Sequence, residues 1–260
     1  MKKISTIFIV LCMASTAFAA GFSNIARAAE AGTDCTIAAS DVAAIAAIET
    51  DPSLSASEEL TQELAARKAL LSKVIACAEN NVTEQGAALN NITVPSAASN
   101  VQSILAGKLN DATNYYNAEL AKVSTAGIAG TKEIAQEVLS WNTANYDPLA
   151  EEIANLDLWS HNQALFTTAQ NRMNQTNNIV SFLESAGQNT ALEGDLSTTQ
   201  ADFQSALAEH NVAENALAES LPPDQALALI QQSLADLATA YQDFSTINNL
   251  IQTLLPTNAN

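Results

Sequence analysis

The sequence has little positive charge, few aromatics and few of the residues that break helices. Lys and Arg number 10 against 28 Asp and Glu in 260 residues. All the acids lie at or after Glu30, whereas Lys2, Lys3 and Arg27 precede it. The chain from Glu30 onward therefore carries seven bases against 28 acids, formally −21. Beyond Arg172 there is no Lys or Arg, yet ten acids fall between Glu184 and Asp243. Such a surface repels phosphate backbones and anionic lipid headgroups, which excludes nucleic acid as a partner. The acids read as a solvated face, because no D-x-D-x-D-G loop marks a calcium site. Gly (8) and Pro (6) are too few for a sheet-rich chain with frequent tight turns. Aromatics make up 5% of residues, and Ala and Leu lead the 48% that are hydrophobic. Unbranched helix formers with few breakers predict an all-α fold.

The N-terminus reads as an export signal. Lys2 and Lys3 lead into the apolar run Ile4–Met13, too short to span a bilayer. Small residues follow at Ala17-Phe18-Ala19 and again at Ala26-Arg27-Ala28, so cleavage is expected after Ala19 or Ala28. Residues 29–260 then form a single helical-bundle domain, exported to the periplasm, cell surface or medium, with no stable membrane span once the signal is removed. The brief Lys-Lys start suggests a bacterial host. Of three cysteines, Cys12 leaves with the signal, and Leu11 before it is not the small residue that lipidation requires. Cys35 and Cys77 remain, an even pair in an oxidising compartment, and read as one disulfide.

Periodicity then divides the chain into helices. A short one starts near Ser40 or Asp41, with Val42, Ile45 and Ile48 on one face, and Asp51-Pro52 ends it. A second starts near Ser55 or Ser57 with a seam of Leu60, Leu64, Leu71, Ile75, Ala78, Val82, Gln85, Leu89 and Ile92. Its heptad rhythm from Leu71 carries it through Asn80, Asn81 and Gly86. The third has Val101, Leu105, Leu109, Ala112, Tyr116, Leu120 and Val123 on one stripe, an eleven-residue repeat. Gly127 and Gly130 interrupt it, and Thr131 restarts it with Ile134, Val138 and Trp141 inward. Asp147-Pro148 reads as an N-cap with proline at the first helical position of a new helix of about 39 residues. Its apolar positions, Leu158 and Leu165 among them, drift around the axis. A fifth helix carries Leu192, Leu196, Phe203, Leu207, His210, Leu217 and Leu221. The last, opened by Pro222-Pro223, has the stripe Leu227, Ile230, Leu234, Leu237, Tyr241, Phe244, Ile247, Ile251 and Leu254. Short breaks between long helices favour antiparallel neighbours, hence an elongated antiparallel bundle with a short N-terminal helix.

The stretches LAARKALLSKVIACAENN, AQEVLSWNTANYDPLAEEI and ALALIQQSLADLATAYQDFSTINNLIQTLL resemble uncharacterised exported helical-bundle proteins of reduced-genome, candidate-phylum bacteria. The resemblance covers most of the mature chain. It implies architecture and location, and no activity.

Side chains with chemistry to offer are scarce. His161 stands four residues after Asp157, on one helix face, but no third His or free Cys completes a metal site. His210 lies on an apolar stripe, where a polar residue more often fixes register. Leu158 and Leu207 occupy the positions three before these histidines, which rules out the Glu-x-x-His pairs of di-iron bundles. No G-x-S-x-G, phosphate-binding loop or H-E-x-x-H is present. Catalytic, cofactor-binding and metal-binding residues are therefore none. Trp141, Tyr146 and Trp159, near the Asp147-Pro148 joint, offer a possible interaction surface, with packing at a bundle end as the plainer reading. These features predict a non-enzymatic structural or protein-interaction module outside the cytoplasm, with an unidentified protein partner or self-association. The alternative is a membrane-active secreted protein of the pore-forming-toxin type, with Gly127-Ile128-Ala129-Gly130 as a degenerate apolar head.

Overall fold

The computed structural model describes residues 39–185 and 191–254, and among them every regular element is helical. The helices are α1 (Ala39–Glu49), α2 (Ala56–Asn91), a 3-10 turn (Ser96–Ala98), α3 (Ser99–Val123), α4 (Ile128–Trp141), a π-helical turn (Asn142–Tyr146), α5 (Asp147–Ser185), α6 (Ala191–Ala218) and α7 (Pro223–Leu254). They pack on one another as an all-α bundle architecture. The signal residues and Cys35 lie outside the described residues. Among those described, the chain divides into two compact units, one of 39–91 with 103–150 and one of 92–102 with 151–185 and 191–254.

In the first unit α2 opens with a capping box. The Ser55 hydroxyl accepts from the Glu58 N–H (3.3 Å), and the Glu58 carboxylate accepts from the Ser55 N–H (3.0 Å). The expected heptad seam is buried at Leu71, Ile75, Val82 and Leu89, with Ala78 and Gln85 between them half-buried. Leu60, expected on it, is 61% exposed. The α3 stripe is buried from Leu105 to Tyr116, but its next seam position is Glu119 and not Leu120, which is only half-buried. One Glu119 carboxylate oxygen accepts from Lys122 (2.7 Å), which lets a charged residue occupy a seam position that hydropathy reserves for leucine. Lys68 Nζ donates to the Ser124 carbonyl (2.8 Å) at the end of α3. The start of α2 and the end of α3 thus meet, as antiparallel neighbours do.

Two expected joints are differently built. The interruption near Gly127 is complete by that residue: Gly127 is the extended N-cap of α4, and the Thr131 N–H already bonds to its carbonyl (2.9 Å). Asp147-Pro148 does not start a new helix from a loop. Asp147 is helical (φ −58°, ψ −48°) and its N–H reaches back five residues to the Asn142 carbonyl. Pro148 has no N–H to donate and its ring crowds the carbonyl four residues earlier, so the wider π turn accommodates it without breaking the helix.

The second unit is built on heptads that hydropathy alone places imperfectly. On α7 the buried positions are Ala226, Ile230, Ser233, Leu237, Ala240, Phe244, Ile247 and Ile251, strictly alternating steps of four and three. Leu227, Leu234 and Tyr241, expected on the stripe, flank it half-buried. On α6 the same rhythm runs Leu192, Leu196, Thr199, Phe203, Ala206, His210, Ala213 and Leu217. Alternate seam positions are thus small, which lets the two backbones approach closely while large side chains fill the turns between. The drift expected on α5 disappears for a related reason. Asn155 and Asn162 occupy seam positions, so the seam continues straight to Trp159, Phe166, Ala169, Met173 and Val180, and Leu165 is left 40% exposed. The Asn155 amide donates to the Pro223 carbonyl (2.7 Å), satisfying part of the buried polarity.

The α6–α7 connection completes this unit. The Leu221 N–H returns to the Ala216 carbonyl (3.0 Å) and the Ser220 N–H to that of Leu217 (3.3 Å). This hydrogen-bond pair is a Schellman cap, whose turning residue is ordinarily glycine. Here it is Ser220, at φ 53°.

Candidate functional site

In the first unit a groove of about 480 Å3 lies between α1, α2 and α4. Leu70, Leu71 and Val74 of α2 face Val138 and Leu139 of α4 across it, and Ile45 of α1 stands at one end. Leu139 is 68% exposed although it lines the groove. The position of α1 follows from two ion pairs to α2, Asp41–Lys73 (2.7 Å) and Glu49–Arg67 (2.9 Å), which run the helices antiparallel. Arg67 also pairs with Glu63 (2.6 Å), and these bonds, that to Glu63 foremost, raise the guanidinium pKa still further. Asn142, the first residue of the π turn, closes the opposite end with Asn81.

Asn142 also joins an aromatic cluster. The Tyr116 hydroxyl donates to its side-chain oxygen (2.7 Å), and its amide donates to Asp147 (2.8 Å). Trp141 stacks on Tyr115 with centroids 4.1 Å apart and meets Tyr116 edge-on at 5.3 Å; Tyr116 in turn meets Tyr146 edge-on at 6.5 Å. Burial raises the phenol pKa of Tyr116 strongly and that of Tyr146 to about 12, so both remain neutral donors at any physiological pH. Of the expected interaction surface, Trp141 and Tyr146 thus come together here, with Trp141 half-buried and Tyr146 buried. The spacing of Tyr115 and Tyr116 gave no hint of this cluster, because their partners lie some 26 residues on, across the α3–α4 turn.

Trp159 belongs to the second unit and is fully buried, so its ring offers no surface to a partner. It lies parallel to the His210 imidazole at 5.0 Å, and its indole N–H donates to the His210 carbonyl (3.2 Å). Phe166 covers the imidazole from 4.4 Å. Gln163 faces Nε2 at 2.7 Å; with the amide oxygen toward the ring, Nε2 carries the proton and Nδ1 is bare, buried and without a partner. Desolvation lowers the imidazole pKa from 6.5 to about 4. His210 is therefore a neutral, seam-filling side chain. His161 is on the surface, with Nδ1 bonded to the Asp157 carbonyl one turn back (2.8 Å). Cys77 lines the groove, half-buried; its expected partner Cys35 is outside the described residues.

Among the described residues no three His, Cys, Asp or Glu side chains gather as metal ligands, and no helix is long and apolar enough to cross a membrane. No protein-family model, curated protein or solved structure matches the chain.

Proposed function

We propose that this is an exported, non-enzymatic helical bundle that serves as a structural or protein-interaction module outside the cytoplasm. The observation that carries the reading is how the residues with chemistry to offer are used. His210, Asn155 and Trp159 are spent on helix packing, and His161 on a bond within its own helix. What is left for recognition is surface, including Ile179 and Phe182 one turn apart on α5, which are 45% and 69% exposed. The basic start, short apolar run and A-x-A sites of the N-terminus support export, as does the resemblance to exported bundle proteins of reduced-genome bacteria.

The Cys35–Cys77 disulfide belongs to the same reading. The ion pairs that set α1 antiparallel to α2 place Ala39, where the described chain begins, on the Cys77 side of Lys73. A bridge there would close a loop of about 43 residues, stabilising by roughly 4 kcal/mol in the chain-entropy model.

Two measurements test the proposal. Fusing residues 1–28 to a reporter active only outside the cytoplasm should yield activity, and its absence refutes export. Cross-linking of the exported protein should capture a stoichiometric partner or a second copy, weakened in an Ile179→Ser, Phe182→Ser double variant. Leakage of dye from liposomes, without any such capture, would instead favour the membrane-active alternative.

A further inference from the structure

We propose that a second copy of this chain covers the outer edge that α5 and α7 form in the second unit, the two copies meeting through Leu165, Ile179 and Phe182 as a two-fold homodimer. The inference rests on the reading of the chain as an interaction module, and it names the partner.

Packing in the second unit fixes which flank of each helix faces outward. The Asn155 amide reaches the Pro223 carbonyl, and the Arg172 guanidinium lies over the Tyr241 ring at 5.3 Å, so α5 and α7 run parallel and in register. Leu165 and Ile179 stand two helical turns to either side of Arg172 and share its flank; Phe182 follows Ile179 by one turn. All three apolar side chains are exposed. The other flank of α5 faces α6, where the Gln200 amide donates to the Asn177 side-chain oxygen (2.8 Å). Along α7, Leu227 and Leu234 precede Tyr241 at the same two-turn spacing and are half-buried. An apolar edge thus runs along α5 and α7, on the side of the unit away from α6.

Charge decides what can dock there. No acid occurs between Leu158 and Leu183, and Arg172 is the one Lys or Arg of the unit. Helix α6 instead carries Glu193, Asp195, Asp202, Glu209 and Glu214. Asp243 of α7 turns toward α6, lining one cavity with Asp195, and Asp236, two turns earlier, shares that flank. A basic partner is drawn to this acidic side. A partner as acidic as the chain itself, formally −21 from Glu30 onward, is repelled there and, within this unit, admitted at the α5–α7 edge. An isologous pair meeting edge to edge also carries both α6 helices on its far sides, which keeps the acids of the two copies apart. The edge is large enough for this. From Leu165 to Phe182 it runs about 26 Å at 1.5 Å per residue, and two helix widths of about 10 Å each make it roughly 500 Å2 per copy. Both copies together reach the lower bound of about 1,000 Å2 for a specific interface.

Sedimentation equilibrium of the purified exported protein over a wide range of concentration tests this. The expected result is a reversible monomer–dimer equilibrium that tightens as salt rises, because screening relieves the repulsion between two acidic copies. Ile179→Ser with Phe182→Ser should raise the dissociation constant by at least about tenfold. Leu165→Glu should weaken the dimer more than Leu165→Gln, which removes the same apolar contact without adding an acid, and the gap should close at high salt. Val212→Ser, at an exposed apolar position on α6, should leave the dimer unchanged. Circular dichroism confirms that each variant folds. A protein that stays monomeric overturns the proposal, and so does a dimer indifferent to the Ile179, Phe182 and Leu165 variants. If cross-linking of such a monomer still captures another protein, the interaction-module reading stands and only the second copy falls; if it captures nothing, both fall.

Discussion

Protonation of His210 should set the acid stability of the second unit. The imidazole is fully buried between Trp159 and Phe166, and its bare Nδ1 has no acceptor to receive a new proton. Its pKa is lowered from 6.5 to about 4, so the folded state binds fewer protons than the unfolded state between these values. For a group shifted down in this way, the neutral form's stability is fully present above about pH 6.5. It falls as the pH drops toward 4 and levels off below. At about 1.4 kcal/mol per pH unit, the loss across the window amounts to roughly 3 kcal/mol. Carboxylates titrate in the same range, and Asp243 opposes the trend: burial, with the neighbouring Asp202, raises its pKa. These effects are shared by a His210→Gln variant, which keeps a neutral polar side chain and cannot charge. Urea denaturation of the two proteins at pH 7, 6, 5 and 4 isolates the histidine. His210→Gln should be the less stable at pH 7, through imperfect packing, and should lose the disadvantage by pH 4 as the parent weakens. A stability difference that does not change with pH would refute the reasoning.

Phe244 lies on the α7 seam, 6% exposed and edge-on to Tyr241 at 5.8 Å. Phe244→Ala should cost about 3–5 kcal/mol, against no more than about 0.5 kcal/mol for Gln232→Ala on the exposed face; coincident denaturation midpoints would make the stripe an interaction face. Ser220→Gly should stabilise by about 1 kcal/mol, since φ 53° costs an L residue what glycine avoids; an unchanged or lower melting temperature would count against strain at the cap. Mass spectrometry of exported protein without reductant should show Cys77 bridged to Cys35, and two alkylatable thiols would remove the disulfide.

Helix existence was legible wherever large apolar residues recur. The seam of α2 from Leu71 to Leu89 needed no tertiary information, because its large aliphatics at heptad spacing outweigh the Asn80, Asn81 and Gly86 among them. The seam position of His210 was also readable from the apolar stripe it shares with Leu217, whereas its neutral state follows from its burial in the folded protein. Legibility failed where the buried residue is small or polar. Ala226, Ser233 and Ala240 hold the α7 seam, Thr199 and Ala206 that of α6, Asn155 and Asn162 that of α5, and Glu119 that of α3. Hydropathy ranks each below a leucine next to it, and only the partner helix decides which of the two faces inward.

The groove belongs wholly to the second category. Val138 and Leu139 are adjacent in sequence, and nothing local says that Val138 is buried while Leu139 remains in water. Likewise Asp147-Pro148 carries every local mark of a helix start, yet the chain passes through it as a π turn. The sequence by itself determined that this chain is helical and roughly where its apolar faces run, because those are properties of 3.6-residue periodicity within one segment. Which residue of each face is inside, which break is a bend and where a groove stays open depend on contacts between segments tens of residues apart, and only the tertiary structure decides those.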